Sequence, residues 1–198
     1  MPVFARLVVG WLAVPVFVAL VTAPGIAQTS TMPLVFSGQL INLNTQINLP
    51  GQTPVDITIN RWSTAGEREQ LITVLKERGR DGLLEMMQSV ERIGTIRIPG
   101  SLNYDFHFAL RGEAPGGGMA VTLIADRPVG YTEAVEGPRT LDYRFMVIQF
   151  QVNSIGQGGG QISMVTKVEV DRVTGEINLE TWEDLFVTLR SLRRTSGR

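Results

Sequence analysis

Alternation of apolar and polar residues, repeated in segment after segment, narrows the folds open to this chain more than any other feature. In VDITINRW (55–62), Val55, Ile57 and Ile59 fall on one side and Asp56, Thr58 and Asn60 on the other. A strand with one buried and one wet face has this pattern. A period of two also runs through LVFSGQLINL (34–43), GTIRIP (94–99), LNYDFHFALR (102–111), MAVTLIADRPV (119–129), YRFMVIQFQV (143–152), QISMVTKVEVDR (161–172) and EINLETW (176–182). Pro50-Gly51, GEAPGGG (112–118), NSIGQGGG (153–160) and Thr174-Gly175 supply turn and hairpin-loop signals between these segments. Short connections of this kind predict an antiparallel meander forming a curved sheet or a partly closed barrel. DLFVTLRSLRR suits a strand through Leu185, Val187 and Leu189 and a helix through Leu185, Leu189 and Leu192. We read it as a strand, with SLRRTSGR as a solvated tail.

One stretch breaks the period. WSTAGEREQLITVLKERGRDGLLEMMQSV (62–90) carries helical spacing and predicts a helical hairpin over about 64–90. Thr64 and Glu67 have the spacing of a capping box, in which each side chain accepts the other residue's backbone N–H. Leu71, Ile72, Val74 and Leu75 form an apolar stripe, and Gly79 is a natural stop. Asp81 can cap a second helix, whose Leu83, Met86, Met87 and Val90 share a face. Neither helix is long enough to stand alone in water, so the pair must dock on the sheet. The expected fold is therefore mostly β with two short helices packed on an antiparallel sheet.

At the N-terminus, Arg6 precedes the apolar run LVVGWLAVPVFVALV, and Gly25 and Ala27 stand at the spacing of a signal-peptidase site. We expect residues 1–27 to be a signal peptide and 28–198 the mature domain. The run is shorter than the roughly 20 residues that span a bilayer, so no stable membrane span is expected after cleavage. The chain contains no cysteine, which rules out a disulfide framework and leaves stability to packing. A periplasmic or secreted bacterial protein fits these features. Its 18 basic and 19 acidic residues give a net charge of −1, which disfavours nucleic acid as a partner.

The segments ITINRWST, GTIRIPGSLNYD, ADRPVGY, LDYRF and TKVEVD, with the spaced Leu71, Leu75, Gly79 and Leu83-Leu84 and the closing IxLE, resemble an uncharacterised family of exported bacterial proteins. That resemblance implies export and a mostly-β fold, and brings no activity, cofactor or partner with it.

Candidate chemistry is sparse. GQGGGQ (156–161) precedes a strand and lacks the Lys-Ser/Thr and the following helix of a phosphate loop, so it reads as a hairpin loop. His107 is the chain's one histidine, which excludes an HExxH zinc site. If Tyr104, Phe106, Phe108 and Leu110 point inward and match Val121, Leu123 and Ala125, then Asp105, His107 and Asp126 share the other face. Such a trio suits a divalent cation or acid/base hydrolysis. A slip of one residue replaces it with an Asp105–Arg127 ion pair. Trp62, at a strand-to-helix junction, reads as a packing anchor or an aromatic ligand contact. Met86, Met87, Met119, Met146 and Met164 are adaptable filler for either a hollow or a plugged core.

Two arrangements follow. In one, the helices close the mouth of a calycin-type or START-like carrier whose apolar ligand touches Trp62, Met86 and Met87. In the other, the interior is filled. The expected function is non-enzymatic binding of a small apolar ligand or an envelope partner, with no cofactor. Hydrolysis at Asp105, His107 and Asp126, or a structural role in an envelope assembly, are the alternatives.

Overall fold

The computed structural model of the protein describes residues 32–43, 51–100, 103–126, 145–170, 177–181 and 186–196. The expected signal peptide, the Pro50 half of the first turn, Arg127 and the Thr174-Gly175 turn lie outside them. Among the described residues, nine strands and one helical element appear in the order β1 (Leu34–Ile41), β2 (Gln52–Ile59), α1 (Ala65–Ser89), β3 (Gly94–Arg97), β4 (Tyr104–Ala114), β5 (Gly118–Ala125), β6 (Phe145–Val152), β7 (Gln157–Val170), β8 (Ile177–Thr181) and β9 (Phe186–Ser196).

Each strand from β1 to β7 pairs antiparallel with the next. β9 then pairs with both β7 and β1. Eight strands therefore close into a barrel, where the sequence suggested a partly closed one. β8 stands outside the ring. It pairs with Thr166–Val170 of β7, while β9 takes Gln157–Ser163, so β8 and β9 follow one another along a single edge of β7.

Eight strands enclose a lumen that side chains just fill. Phe36, Ile57, Phe106, Leu123, Ile148, Ile162 and Leu189 are all buried within it. Phe36 on β1 and Phe150 on β6 are not on neighbouring strands, yet their rings meet edge to face with centroids 5.1 Å apart. The barrel is thus plugged at that level.

The helical element packs elsewhere. Leu71, Leu75, Leu83 and Met87 form a second core with Phe108, Ile124, Phe145, Val147 and Val168 on the outside of β4 to β7. A register shift between Phe106 and Phe108 makes this wall. The bulge ends the alternation of LNYDFHFALR, so Phe106 and Ala109 join the inner core while Phe108 and Leu110 turn to the outer one. The helices are accordingly not a lid over the mouth, because the apolar surface they require lies on the barrel's flank.

In place of two separate helices there is one element with non-helical backbone at Gly79, where φ is 65°. Twenty-five residues of straight helix would span about 37 Å. Its ends nevertheless bond to β4 two residues apart, Ser63 to Ala109 and Val90 to His107, so the element doubles back at Gly79. An ion pair between Arg78 and Glu85 crosses this break. A Cβ on Gly82 would come within 2.3 Å of Arg78 Cβ.

Two further segments depart from the sequence reading. Gln157–Gly160 belong to β7 and not to a loop; the turn before β7 covers only 153–156. SLRRTS is no solvated tail but the end of the strand that closes the barrel.

Candidate functional site

At one end of the barrel β1, β3, β5 and β7 begin and β2, β4, β6 and β9 finish. Its apolar lining reaches this end through the half-buried Met32, Trp62 and Met119, all packed on the inner core. Arg111 and Glu113 follow Ala109 on the inward-facing register of β4 and are exposed, which places one charge of each sign at the rim.

Trp62 is held from both sides by backbone. Asn60 N–H donates to the Ile93 carbonyl at 2.8 Å, and Ser63 N–H donates to the Ala109 carbonyl at 2.9 Å. Ser63 Oγ accepts the Ala109 N–H at 3.0 Å. Arg61 adds a clamp: Nη1 reaches Glu67 Oε2 at 3.0 Å and the Trp62 carbonyl at 3.3 Å, and Nη2 reaches Glu67 Oε1 at 2.8 Å. Among the described residues, Trp62 Nε1 is the buried side-chain polar atom without a hydrogen-bond partner.

Glu67 also completes the capping box. Its Oε2 accepts the Thr64 N–H at 2.7 Å, and Thr64 Oγ1 accepts the Glu67 N–H at 3.2 Å. The Arg61 hydrogen bonds and then the Thr64 N–H hold the Glu67 carboxyl down at about 2, against an ordinary value of 4.5. A folded-state value below the unfolded one means that this carboxylate stabilises the fold above pH 4.5 and loses its contribution as pH falls from there towards 2. Both partners are more than a third exposed, so solvent limits the effect to about 1 kcal/mol. Glu67→Gln is expected to lower the unfolding free energy from urea denaturation at pH 7 by that amount and to flatten the pH dependence of stability between pH 4.5 and 2.

The structure separates the other candidate ligand contacts from Trp62. Met87 is buried, and Met86 partly so, in the core between helix and outer wall, whereas Trp62 packs on the lumen core. The three do not line one cavity.

Phe106 pairs with Ala125, both facing inward, so Asp105 and Asp126 lie outside with His107 beside Asp126, but the trio's members take different partners. His107 sits in the bulge with Nδ1 3.1 Å from the Val90 carbonyl oxygen, so Nδ1 donates and Nε2 faces Asp126 Oδ1 at 3.9 Å. Asp105 faces Arg92 at 3.5 Å. Among the described residues no three His, Cys, Asp or Glu side chains gather as metal ligands, which corrects the cation reading of Asp105, His107 and Asp126. Competing partners are the physical reason: Asp105 is turned to Arg92, and the Val90 carbonyl takes His107 Nδ1.

The outer docking wall was missed by sequence reasoning, although FMVI in β6 signals it. Phe145 and Val147 face the helices while Met146 and Ile148 face the lumen, and a continuous apolar run marks a strand buried on both sides.

No family model, no curated protein and no solved structure matches the chain. No helix among the described residues is long and apolar enough to cross a membrane.

Proposed function

We propose that this is an exported, non-enzymatic binding protein that takes a small apolar ligand at the barrel end bounded by Met32, Trp62 and Met119. The observation that carries this reading is the continuity of the apolar lining: it runs from the buried lumen to three half-buried side chains at that end. The mouths of β-barrels are a preferred place for such sites. With Phe36 and Phe150 filling the middle of the lumen, the seat is shallow. Export is supported by the charged, apolar and small-residue order of residues 1–27.

Mass spectrometry of an organic extract of the natively purified protein is expected to find a co-purifying apolar species in near-equal molar amount. The delipidated protein should bind the neutral fluorophore N-phenyl-1-naphthylamine. An empty extract together with no fluorophore binding counts against the reading. Acid/base chemistry is the second reading, favoured by the 3.9 Å approach of His107 Nε2 to Asp126. It requires an activity that His107→Ala abolishes.

A further inference from the structure

We infer that the outer wall of β9 and β1 docks an acidic polysaccharide, gripped through Arg190 and Arg193. This surface lies on the outside of the barrel and does not depend on the apolar ligand proposed above.

Residues three apart on a regular strand face opposite sides, yet Arg190 and Arg193 are both exposed on the outer face of β9 while Leu189 and Leu192 are buried in the lumen. The bulge opposite Ser37 and Gln39 makes this possible, and Ser191 within it has a φ of 53°. That conformation is strained for any residue but glycine, and strain of this kind persists where the surrounding structure imposes it, often at a working surface. β1 meets the bulge with Gly38, where a Cβ would come within 3.0 Å of the Arg190 carbonyl oxygen. The outcome is two guanidiniums on one face. They stand opposite Gln39 and Ser37, about 7 Å apart along β1. Among the described residues neither takes part in an ion pair. The carboxylate in the same cross-strand row, Asp56, accepts the Ser37 hydroxyl at 2.7 Å and has Arg97 on its other side, so the wall stays positive.

The neighbouring side chains narrow the partner. Gln39 on β1 and Gln157 and Gln161 on β7 flank the arginines, and their amides suit sugar hydroxyls, while a guanidinium takes a carboxylate through paired hydrogen bonds. Nucleic acid fits less well, because no aromatic ring stands beside these arginines among the described residues for bases to stack on. A bilayer also fits less well, since Leu43 and Ile155, the exposed large apolar side chains among the described residues, lie in connections beyond the strands.

Binding of fluorescein-labelled polygalacturonate to the full chain, followed by anisotropy, tests the inference. Arg190→Gln with Arg193→Gln is expected to weaken it about tenfold or more, and raising salt from about 50 to about 500 mM should weaken the wild type as well. Arg68→Gln with Lys76→Gln makes the same charge change on α1 and should leave the affinity within about twofold, which separates place from net charge. Asp56→Asn removes the carboxylate of the wall and should tighten binding about twofold or more, a readout that does not require the arginine variant to fold. Neutral dextran should not compete. No binding of polygalacturonate at low salt, equal weakening by the two double variants, no tightening in Asp56→Asn, or tighter binding of single-stranded DNA or of phosphatidylglycerol vesicles than of polygalacturonate would each overturn the inference and leave the apolar site untouched.

Discussion

Gly160→Ala is expected to cost about 3 kcal/mol, at the upper end of what overpacking a well-filled interior normally costs. A Cβ at this position would lie 2.0 Å from the Gln149 carbonyl oxygen and 2.5 Å from Phe150 Cα. Both are backbone atoms of β6, so rotation of a side chain gives no relief. Gly158 has the same relation to Gln151, at 1.8 Å from its carbonyl oxygen. The glycines thus allow β7 to lie against β6 while Phe150 fills the lumen beside them. Urea denaturation measures the loss as a lower midpoint with an unchanged slope. Gly66→Ala is the control with the opposite sign: nothing lies within 4 Å of its added Cβ, and the helical position gains about 0.5 kcal/mol in propensity. A Gly160→Ala protein as stable as the wild type would show that β7 and β6 lie farther apart than described.

The second large effect belongs to the outer core. Leu83 is completely buried between α1 and the barrel wall, so Leu83→Ala should destabilise by about 3 kcal/mol through lost burial and the cavity left behind. Location matters more than size here, because this core shares no residue with the lumen core. Amide hydrogen exchange should show faster exchange throughout residues 65–89, with the strands that contact only the lumen, β1 to β3, keeping their protection. Equal loosening of those strands would mean that helix and barrel open as one unit.

What could be read in advance was local. The capping box of Thr64 and Glu67 depends on four neighbouring residues and forms as expected. The alternation in β2 reports directly on a strand with one face in the lumen. Closure was not legible, because it joins Val35 to Ser196 across the length of the chain. β9 shows how closure hides its own signal. Leu189 and Leu192 both join the inner core although they are three residues apart, a helical spacing produced by a register shift beside Ser191, whose φ is 53°. β4 misled in the opposite way: LNYDFHFALR alternates perfectly, and only tertiary demand for apolar groups on both walls puts a bulge at His107. The glycines of β7 read as a loop because glycine is common in turns, whereas here it permits close approach between strands. At the candidate site, sequence singled out Trp62 but carried no hint that its indole nitrogen would be buried without an acceptor, since that depends on atoms brought together by the finished barrel.

The pairing of β9 with β1 has a consequence for biogenesis. A polypeptide synthesised from its amino end presents β1 first and β9 last, so the first strand waits with an unsatisfied hydrogen-bonding rim until β9 has been made. Contacts between residues so distant in sequence form slowly. During that interval the growing sheet can capture foreign strands. Factors that shield strand edges would therefore matter more for this protein than for one assembled from neighbouring hairpins alone.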